Sequence, residues 1–388
     1  GLGDVYKRQA QLTDEYCLQF ANGLRGRGSA PRGETVSRYE SQARSARSRQ
    51  VIEQLTGDRI IGRRLSQQQF DEYLEGRAEL FGPGPVFALS CAFFEAEFRG
   101  TGRQPRPGGV REPRFCLNIL NGGRHAYTNP VLSDFHEFLL VPTDGDLEQL
   151  LEDHRAVQAR VRDRLSSTKT VRVNGNVVHV LGNNGNRDVF ELLLAVLEDL
   201  GLAGRYELMV DAAASDLWNG SAYALAIAEQ REFSPPEFEE YWRRLLDDYP
   251  LGIVEDPFAE HDLQHWRGLA ANNASCRLLG DDVHCGDFGR IQQLLAEGCM
   301  AGVVLKPDQA GTISRTLKAI EVARAAGAPI VLSHRSISTD SVLLAHLMVH
   351  CDIQLAKFGP LLTDFTSILR MNEVLRLGHG EKSGRDTP

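Results

Sequence analysis

The chain of 388 residues is long enough for two or three domains, or for one large barrel with a smaller partner. Its 42% hydrophobic and 24% charged residues are typical of a globular protein and argue against wholesale disorder. The net charge of −9 argues against nucleic acid as the main partner, and no apolar run approaches the length of a membrane span.

The beginning of the chain indicates a separate small domain. Residues 1–9 lack a starting Met and an apolar signal core, and we expect them to be a cloning or sequencing scar. Helical spacing follows in residues 50–55, 67–76 and 87–98. The segment 99–114 is rich in Gly, Pro and Arg and is typical of a linker. We therefore predict an N-terminal domain with its linker over 1–112 and a second domain over 113–388.

The second domain has a repeating pattern of apolar runs and helices. Short apolar runs that end in polar residues occur at 115–123, 137–144, 206–215, 252–258, 276–282, 301–309, 329–336 and 353–359. Amphipathic helical patterns lie between several of them, at 188–201, 288–298 and 313–327. About eight such repeats predict a closed α/β barrel with mostly parallel strands. An open doubly wound sheet is the rival fold, but no G-x-G-x-x-G follows a strand.

The carboxyl ends of the predicted strands carry ionisable groups, and this is where the chemistry of such a barrel lies. They are Asp211, Glu255, Asp281, Lys306, His334–Arg335–Ser336 and Lys357. Each alone is more simply a helix N-cap or a loop charge, but six in succession favour a site. Three carboxylates from consecutive strands form the oxygen ligand set that magnesium prefers.

Lysine is rare in this chain, since only six of the 43 basic residues are lysines. A lysine at a strand end is therefore a candidate for chemistry that arginine cannot perform. Lys306 and Lys357 follow the carboxylates on the next strands, and a lysine close to a divalent cation and another ammonium is expected to lose its proton more easily and to serve as a base. The seven cysteines are scattered without zinc-ligand spacing, and we expect reduced thiols in a cytoplasmic protein.

Several segments resemble signatures of the enolase family, in the same order. They are VDAAAS (210–215), VEDPFAEHD (254–262), LGDD (279–282), LKPDQAGT (305–312), SHRS (333–336) and the closing stretch from KFG to ILRMNEVLRL (357–377). FCLNILNGGRHAY (115–127) and HEFLLVP (136–142) match the entry into the barrel, and APRGETVSRYES (30–41) matches a flexible loop. The resemblance covers about residues 15–377 and implies a small α+β domain followed by an eight-stranded α/β (TIM-like) barrel with an irregular start.

The resemblance also implies a chemistry and its residues. Asp211, Glu255 and Asp281 match ligands of Mg²⁺. Lys306 matches the base that removes the proton α to the substrate carboxylate, and Lys357 the lysine that neutralises that carboxylate. The remaining matches are the phosphate contacts Arg335 and Ser336, the amide Gln309, the loop residue Thr35 for a second magnesium, and the polar residues His125, Glu137 and His334.

The implied partner is a small anionic phospho-carboxylate. The implied reaction is that of a phosphopyruvate hydratase, which converts 2-phospho-D-glycerate to phosphoenolpyruvate as in glycolysis. A homodimer is implied where the N-terminal region is complete, but the strand that the family carries upstream of the loop is not visible in the sequence.

The sequence departs from the family pattern at the site itself. Asn183 and Asn184 replace the Asp and Glu of the family's GDEGG segment, whose Glu is the general acid, and an amide cannot donate a proton as an acid. The loop motif GAST becomes GETV, and Arg32 adds a charge that could bind a further anion. KLNQ becomes KPDQ, which places Asp308 two residues after the base, and SHRSGE becomes SHRSIS.

Three functions remain open from the sequence. The first is a magnesium-dependent lyase acting on 2-phospho-D-glycerate or a close analogue. The second is a paralogue that keeps the metal and α-proton abstraction but acts on another phospho- or phosphono-carboxylate. The third is a non-catalytic binding protein, which the retention of both lysines and all three carboxylates argues against.

Overall fold

The computed structural model describes residues 13–33, 37, 39–40, 45–100, 113–123, 126–360 and 364–379. Two predicted site residues, Thr35 and His125, lie outside these residues, as does the expected scar at 1–9. In the described part of the chain, no helix is long and apolar enough to cross a membrane. All seven cysteines are described, and none forms a disulfide.

The N-terminal region begins with an antiparallel hairpin of β1 (Glu15–Gln19) and β2 (Arg25–Ser29). Two short strands therefore precede the loop, as expected for a small α+β domain. The helices of this region are Ser48–Gly57, Gln67–Glu75, Ala78–Phe81 and Pro83–Gly100. Gly26 and Gly28 let the hairpin lie directly on the last helix, because a Cβ on either glycine would lie 1.9 Å from a helix carbonyl oxygen.

The helix Pro83–Gly100 is buried on almost every side, which explains its unbroken apolar sequence. Leu89 and Phe93 belong to the core of the small domain. Phe87 and Phe94 belong instead to the main core around the barrel. This one helix therefore joins the two regions through apolar packing.

The remaining elements build the barrel and its surroundings. The strands are β3 (Arg114–Phe115), β4 (Leu117–Asn121), β5 (Glu137–Pro142), β6 (Lys169–Val173), β7 (Asn176–Val180), β8 (Tyr206–Asp211), β9 (Tyr223–Leu225), β10 (Arg231–Phe233), β11 (Leu251–Glu255), β12 (Arg277–Gly280), β13 (Gly302–Leu305), β14 (Ile330–Ser333) and β15 (Leu355–Lys357). The α-helices are Leu147–Ser166, Arg187–Asp199, Pro235–Asp248, Leu263–Asn272, Phe288–Ala296, Pro307–Ala310, Ile313–Ala325, Leu343–Cys351 and Phe365–His379, and Ala214–Leu217 is a short 3₁₀ helix.

The main sheet closes on itself. Its strand order is β3-β15-β14-β13-β12-β11-β8-β5-β4. The two end strands are consecutive in the chain and are separated only by Cys116, whose N–H donates to the carbonyl of Ala356 on β15 at 2.8 Å. The segment 114–121 thus pairs with β15 on one side and β5 on the other, which makes an eight-stranded barrel. This confirms the predicted fold.

The start of the barrel is irregular, as the resemblance implied. β5 runs antiparallel to both of its neighbours, β4 and β8, whereas the other pairs in the barrel are parallel. The sequence pattern did not predict two hairpins outside the barrel, β6 with β7 and β9 with β10. These strands are too short to form the apolar runs on which the prediction relied, and β6 and β10 are also largely exposed.

The two regions also meet through hydrogen bonds at the start of the helix Ile313–Ala325. Asp71 accepts the N–H of Ser314 at 2.8 Å, and the hydroxyl of Ser90 accepts the N–H of Ile313 at 2.8 Å. The small domain therefore satisfies backbone donors that a helix N-terminus leaves unpaired.

His346 forms a second connection, in the helix Leu343–Cys351. Its two ring nitrogens bond to Glu95 of the helix Pro83–Gly100 at 2.6 Å and to Glu373 of the final helix at 2.7 Å. Burial alone would lower the pKa of His346, but the hydrogen bonds to Glu373 and Glu95 outweigh it and raise the pKa. The imidazolium form of His346 thus connects three helices through its charged hydrogen bonds to Glu95 and Glu373.

We predict that this junction makes stability depend on pH. Because the folded pKa of His346 is raised, its contribution is complete below the unfolded pKa of about 6.5 and is lost as the pH rises through the folded pKa. The free energy of unfolding, measured in urea between pH 6 and 9, should fall by about 1.4 kcal/mol for each unit of the pKa shift. His346→Gln should remove that part of the decline.

His179→Gln is the matched control, because His179 bonds to the hydroxyl of Thr168 at 2.7 Å. Its profile should match that of the parent protein. Parallel profiles for the parent and His346→Gln would contradict the charged junction.

Candidate active site

The candidate site lies next to a layer of apolar side chains inside the barrel, on the side of the carboxyl ends of the strands. Every strand of the barrel contributes to a buried interior cluster of Cys116, Leu139, Val141, Met209, Ile253, Leu279, Val304, Val331 and Leu355. Side chains on a strand alternate between faces, so the residue two positions further on points to the same interior. Those positions hold Asp211, Glu255, Asp281, Lys306 and Lys357. The alternation therefore places all five around the carboxyl end of the barrel.

Lys357 lies among three carboxylates. Its Nζ donates to Glu255 Oε2 at 2.9 Å and to Asp211 Oδ2 at 3.1 Å, and it forms an ion pair with Glu137 Oε2 at 2.6 Å. Burial would lower the pKa of Lys357, but the three carboxylates raise it well above the usual value. Lys357 is therefore a fixed positive charge.

Lys306 forms an ion pair with Asp281 on the neighbouring strand. Burial lowers the pKa of Lys306, but the charges of Asp281 and Asp282 raise it by more than burial lowers it. The net shift of the pKa is therefore upward. The expectation that a divalent cation and a second ammonium make this lysine lose its proton easily concerns the cation-bound protein and stays a prediction. The closest charges that Lys306 meets are carboxylates.

The predicted metal ligands show the features of a cation site. Glu255 is fully buried, and among the described residues its Oε1 has no hydrogen-bond donor; the same holds for Asp281 Oδ1. Burial, and then the charge of Asp211, raise the pKa of Glu255 well above its usual value. Buried carboxylate oxygens without donors are suited to a hard divalent cation, so the residues fit Mg²⁺.

A further acidic residue, Asp256, lies beside these ligands and was not predicted. Carboxylate oxygens of Asp256, Asp281 and Asp282 lie within 4.8 Å of one another. Asp256 uses its two oxygens to accept the N–H groups of Asp281 at 3.0 Å and of Asp282 at 2.9 Å. We therefore assign Asp256 to holding the turn that presents Asp281. The acidic pairs Glu255–Asp256 and Asp281–Asp282 were the available sequence signal.

Arg335 is buried at the same end of the barrel between two carboxylates. Its Nη1 donates to Asp308 at 2.6 Å, and its Nη2 donates to both oxygens of Glu40 at 3.1 and 3.0 Å. Gln309 Nε2 donates to Glu40 Oε2 at 3.5 Å. The sequence analysis did not predict this ion-pair network, because Glu40 lies 295 residues from Arg335.

The loop of the small domain lies against the barrel. The N–H of Arg32 donates to the carbonyl of Ile337 at 3.0 Å, and the N–H of Ile337 donates back at 2.9 Å. The hydroxyl of Ser37 donates to Glu260 Oε1 at 2.8 Å. These contacts, together with those of Glu40, place the described residues of the loop over the end of the barrel that carries the ionisable residues.

The other predicted residues lie in different surroundings. His334 is held by its N–H, which donates to the carbonyl of Lys357 at 2.9 Å, and burial and nearby cations put its pKa well below the usual value. Ser336 is exposed. Asn184 is exposed in the loop before the helix Arg187–Asp199, and its N–H donates to Asp188 at 2.9 Å. Among the described residues, no hydrogen bond joins the Asn184 side chain to the lysines or carboxylates of the barrel.

Comparisons with known proteins agree with this geometry. Residues 112–384 match the family described as "Enolase, C-terminal TIM barrel domain". A protein named enolase from Archaeoglobus fulgidus is 29% identical over 93% of this chain and 92% of its own length. An enolase from Sulfolobus acidocaldarius is 26% identical over 92% of this chain and 89% of its own length. Since the family match covers well over half of the sequence, the chain belongs to the enolase family.

Proposed function

We propose that this protein is an enolase-type carbon–oxygen lyase that acts on 2-phospho-D-glycerate or a close analogue. It removes the proton α to the carboxylate and eliminates water, which gives phosphoenolpyruvate or the corresponding enol compound. The observation that carries this proposal is the pair of lysines, Lys306 and Lys357, held by carboxylates around one end of the barrel.

Asp211, Glu255 and Asp281 would hold a Mg²⁺ ion, which supplies positive charge to the substrate carboxylate as the α-proton leaves. A proton next to a carboxylate is very weakly acidic, so its removal requires such support. Lys357 adds a second positive charge that the surrounding carboxylates keep fixed. The protein's own share of the chemistry is therefore to orient the carboxylate and to accept the proton.

Exposure distinguishes the roles of the two lysines. The side chain of Lys306 is 18% exposed, whereas that of Lys357 is 6% exposed and touches three carboxylates. Lys306 can therefore reach a substrate above the barrel. A cation bound to Asp281 would remove the carboxylate that keeps Lys306 protonated, so that the neutral Nζ could accept the α-proton. Lys357 remains protonated and binds the substrate carboxylate.

The departure of water needs a proton donor, and this chain has Asn184 at the position of the family's acid. A positioned general acid contributes about two to four orders of magnitude to a rate. We propose that elimination from 2-phospho-D-glycerate is slow here for this reason. The same feature supports the alternative, a paralogue that acts on another phospho- or phosphono-carboxylate, since two amides can hydrogen-bond an anion without repelling it.

We also propose a cytoplasmic location, because a reducing compartment suits seven cysteines without a disulfide.

We predict that Lys306→Arg abolishes α-proton exchange. The protein is incubated with 2-phospho-D-glycerate and Mg²⁺ in deuterated water, and loss of the α-proton signal is followed by NMR. The arginine keeps the charge but stays protonated, so exchange should fall by at least 100-fold while calorimetry shows retained Mg²⁺ binding. Lys318→Arg, in a surface ion pair with Glu321, is the matched control. Exchange that survives in Lys306→Arg would require another base.

We predict that restoring the acid accelerates elimination. The double substitution Asn183→Asp and Asn184→Glu should raise phosphoenolpyruvate formation from 2-phospho-D-glycerate by about 100-fold or more. Absorbance of the enol product measures the rate. The same change at the adjacent pair Asn272–Asn273, at the end of a barrel helix, controls for two added charges. An unchanged rate with intact folding and Mg²⁺ affinity would favour the paralogue.

A further inference from the structure

The charges around Arg335 bear on which substrate charge can bind there. The guanidinium is 3% exposed, and the side chains of its partners Glu40 and Asp308 are 20% and 10% exposed. One positive charge therefore faces two negative charges in a region with little water. The group of three carries a net charge of −1 when both carboxyls are ionised.

Asp308 is held in this arrangement by the backbone. It lies in the helical turn Pro307–Ala310 directly after Lys306, and Pro307 fixes the first position of that turn. Its carboxylate reaches Arg335, which follows the next strand, β14. A substrate group that binds the Arg335 guanidinium therefore lies beside Asp308 as well, because Asp308 bonds to the same guanidinium. The residue at this position in the family pattern KLNQ is an uncharged Asn.

A phosphate monoester carries nearly two negative charges above pH 7, since its second pKa is about 6. A sulfate monoester has the same tetrahedral shape and one negative charge. Two unit charges a few ångströms apart in a partly buried site repel each other enough to change a binding constant by more than tenfold. A carboxylate beside Arg335 therefore penalises the doubly charged group more than the singly charged one.

Resting on the proposed lyase function, we propose that Asp308 determines the charge of the substrate group that lies against Arg335. The site favours a 3-hydroxycarboxylate whose C2 substituent is uncharged or singly charged over one that carries a phosphate dianion. Asp308 is thus a specificity-determining residue that acts through the guanidinium. Glu40 contributes equally to the charge balance, but it belongs to the loop of the small domain, whereas Asp308 is fixed beside the base.

The test compares two ligands that differ in charge and share a shape. Binding of 2-phospho-D-glycerate and of its sulfate-ester counterpart, D-glycerate 2-sulfate, is measured by calorimetry at pH 8 with Mg²⁺. The parent protein should bind the sulfate ester more tightly. Asp308→Asn keeps the size of the side chain and an oxygen acceptor for Arg335 but removes the negative charge. It should tighten binding of the phosphate ester at least tenfold and binding of the sulfate ester by less than threefold.

Two further variants complete the test. Asp308→Ser also removes the charge and should shift the ratio of the two dissociation constants in the same direction, which guards against a folding defect in the Asn variant. Asp248→Asn breaks a surface ion pair with Arg187 and changes the net charge equally, so its ratio should equal that of the parent. For a turned-over phosphate ester, Asp308→Asn should lower KM and leave kcat nearly unchanged.

An unchanged ratio in both Asp308 variants, or an equal change for both ligands, would overturn this proposal. Failure of the lyase function is a separate result, because it appears as absent α-proton exchange while the ratio of binding constants still shifts. Normal exchange with an unshifted ratio leaves the lyase function standing and rejects the role of Asp308.

Discussion

The structure depends on a cluster of carboxylates buried at one end of a barrel with few cations to balance them. Glu255 is fully buried beside Asp211 and near Asp281. Burying like charges together is costly, and the buried oxygens without donors show that the two lysines do not complete the balance. A divalent cation on Asp211, Glu255 and Asp281 would supply the missing charge. The same excess of buried negative charge explains why both lysines form ion pairs here and why Asp256 accepts two N–H groups of the turn after β12.

The fold and the proximity of the candidate residues could be predicted from the sequence because both follow the period of a β-strand. Each apolar run fills the barrel, and the next inward position carries the functional group, as with Val304 and Lys306 or Leu355 and Lys357. Parallel register then brings these ends together, so that Asp211 pairs with Glu255 across β8 and β11. The chemical roles expected of these residues came from the order of the enolase-like motifs, because geometry alone does not assign a role to a residue.

What the sequence did not predict depends on contacts between distant segments and on side-chain direction. Glu40 and Arg335 meet because the loop of the small domain lies on the barrel, and no local pattern encodes that contact. The sequence predicted a small α+β domain but not the packing of β1 and β2 on a helix, which depends on the close approach of Gly26 and Gly28 to that helix. The raised pKa of Lys306 likewise follows from the Asp281 carboxylate. Only the folded chain shows that this carboxylate points towards Lys306.

We propose that the carboxylate cluster holds one divalent cation on Asp211, Glu255 and Asp281. Crystals of the protein grown with Mn²⁺, which takes the same oxygen ligands as Mg²⁺, test it through the anomalous signal of the metal. We predict one anomalous peak within bonding distance of those three carboxylates, with Lys306 no longer paired to Asp281. A peak on Asp256 and Asp282 instead, with Asp211 and Glu255 still bound to Lys357, would contradict it.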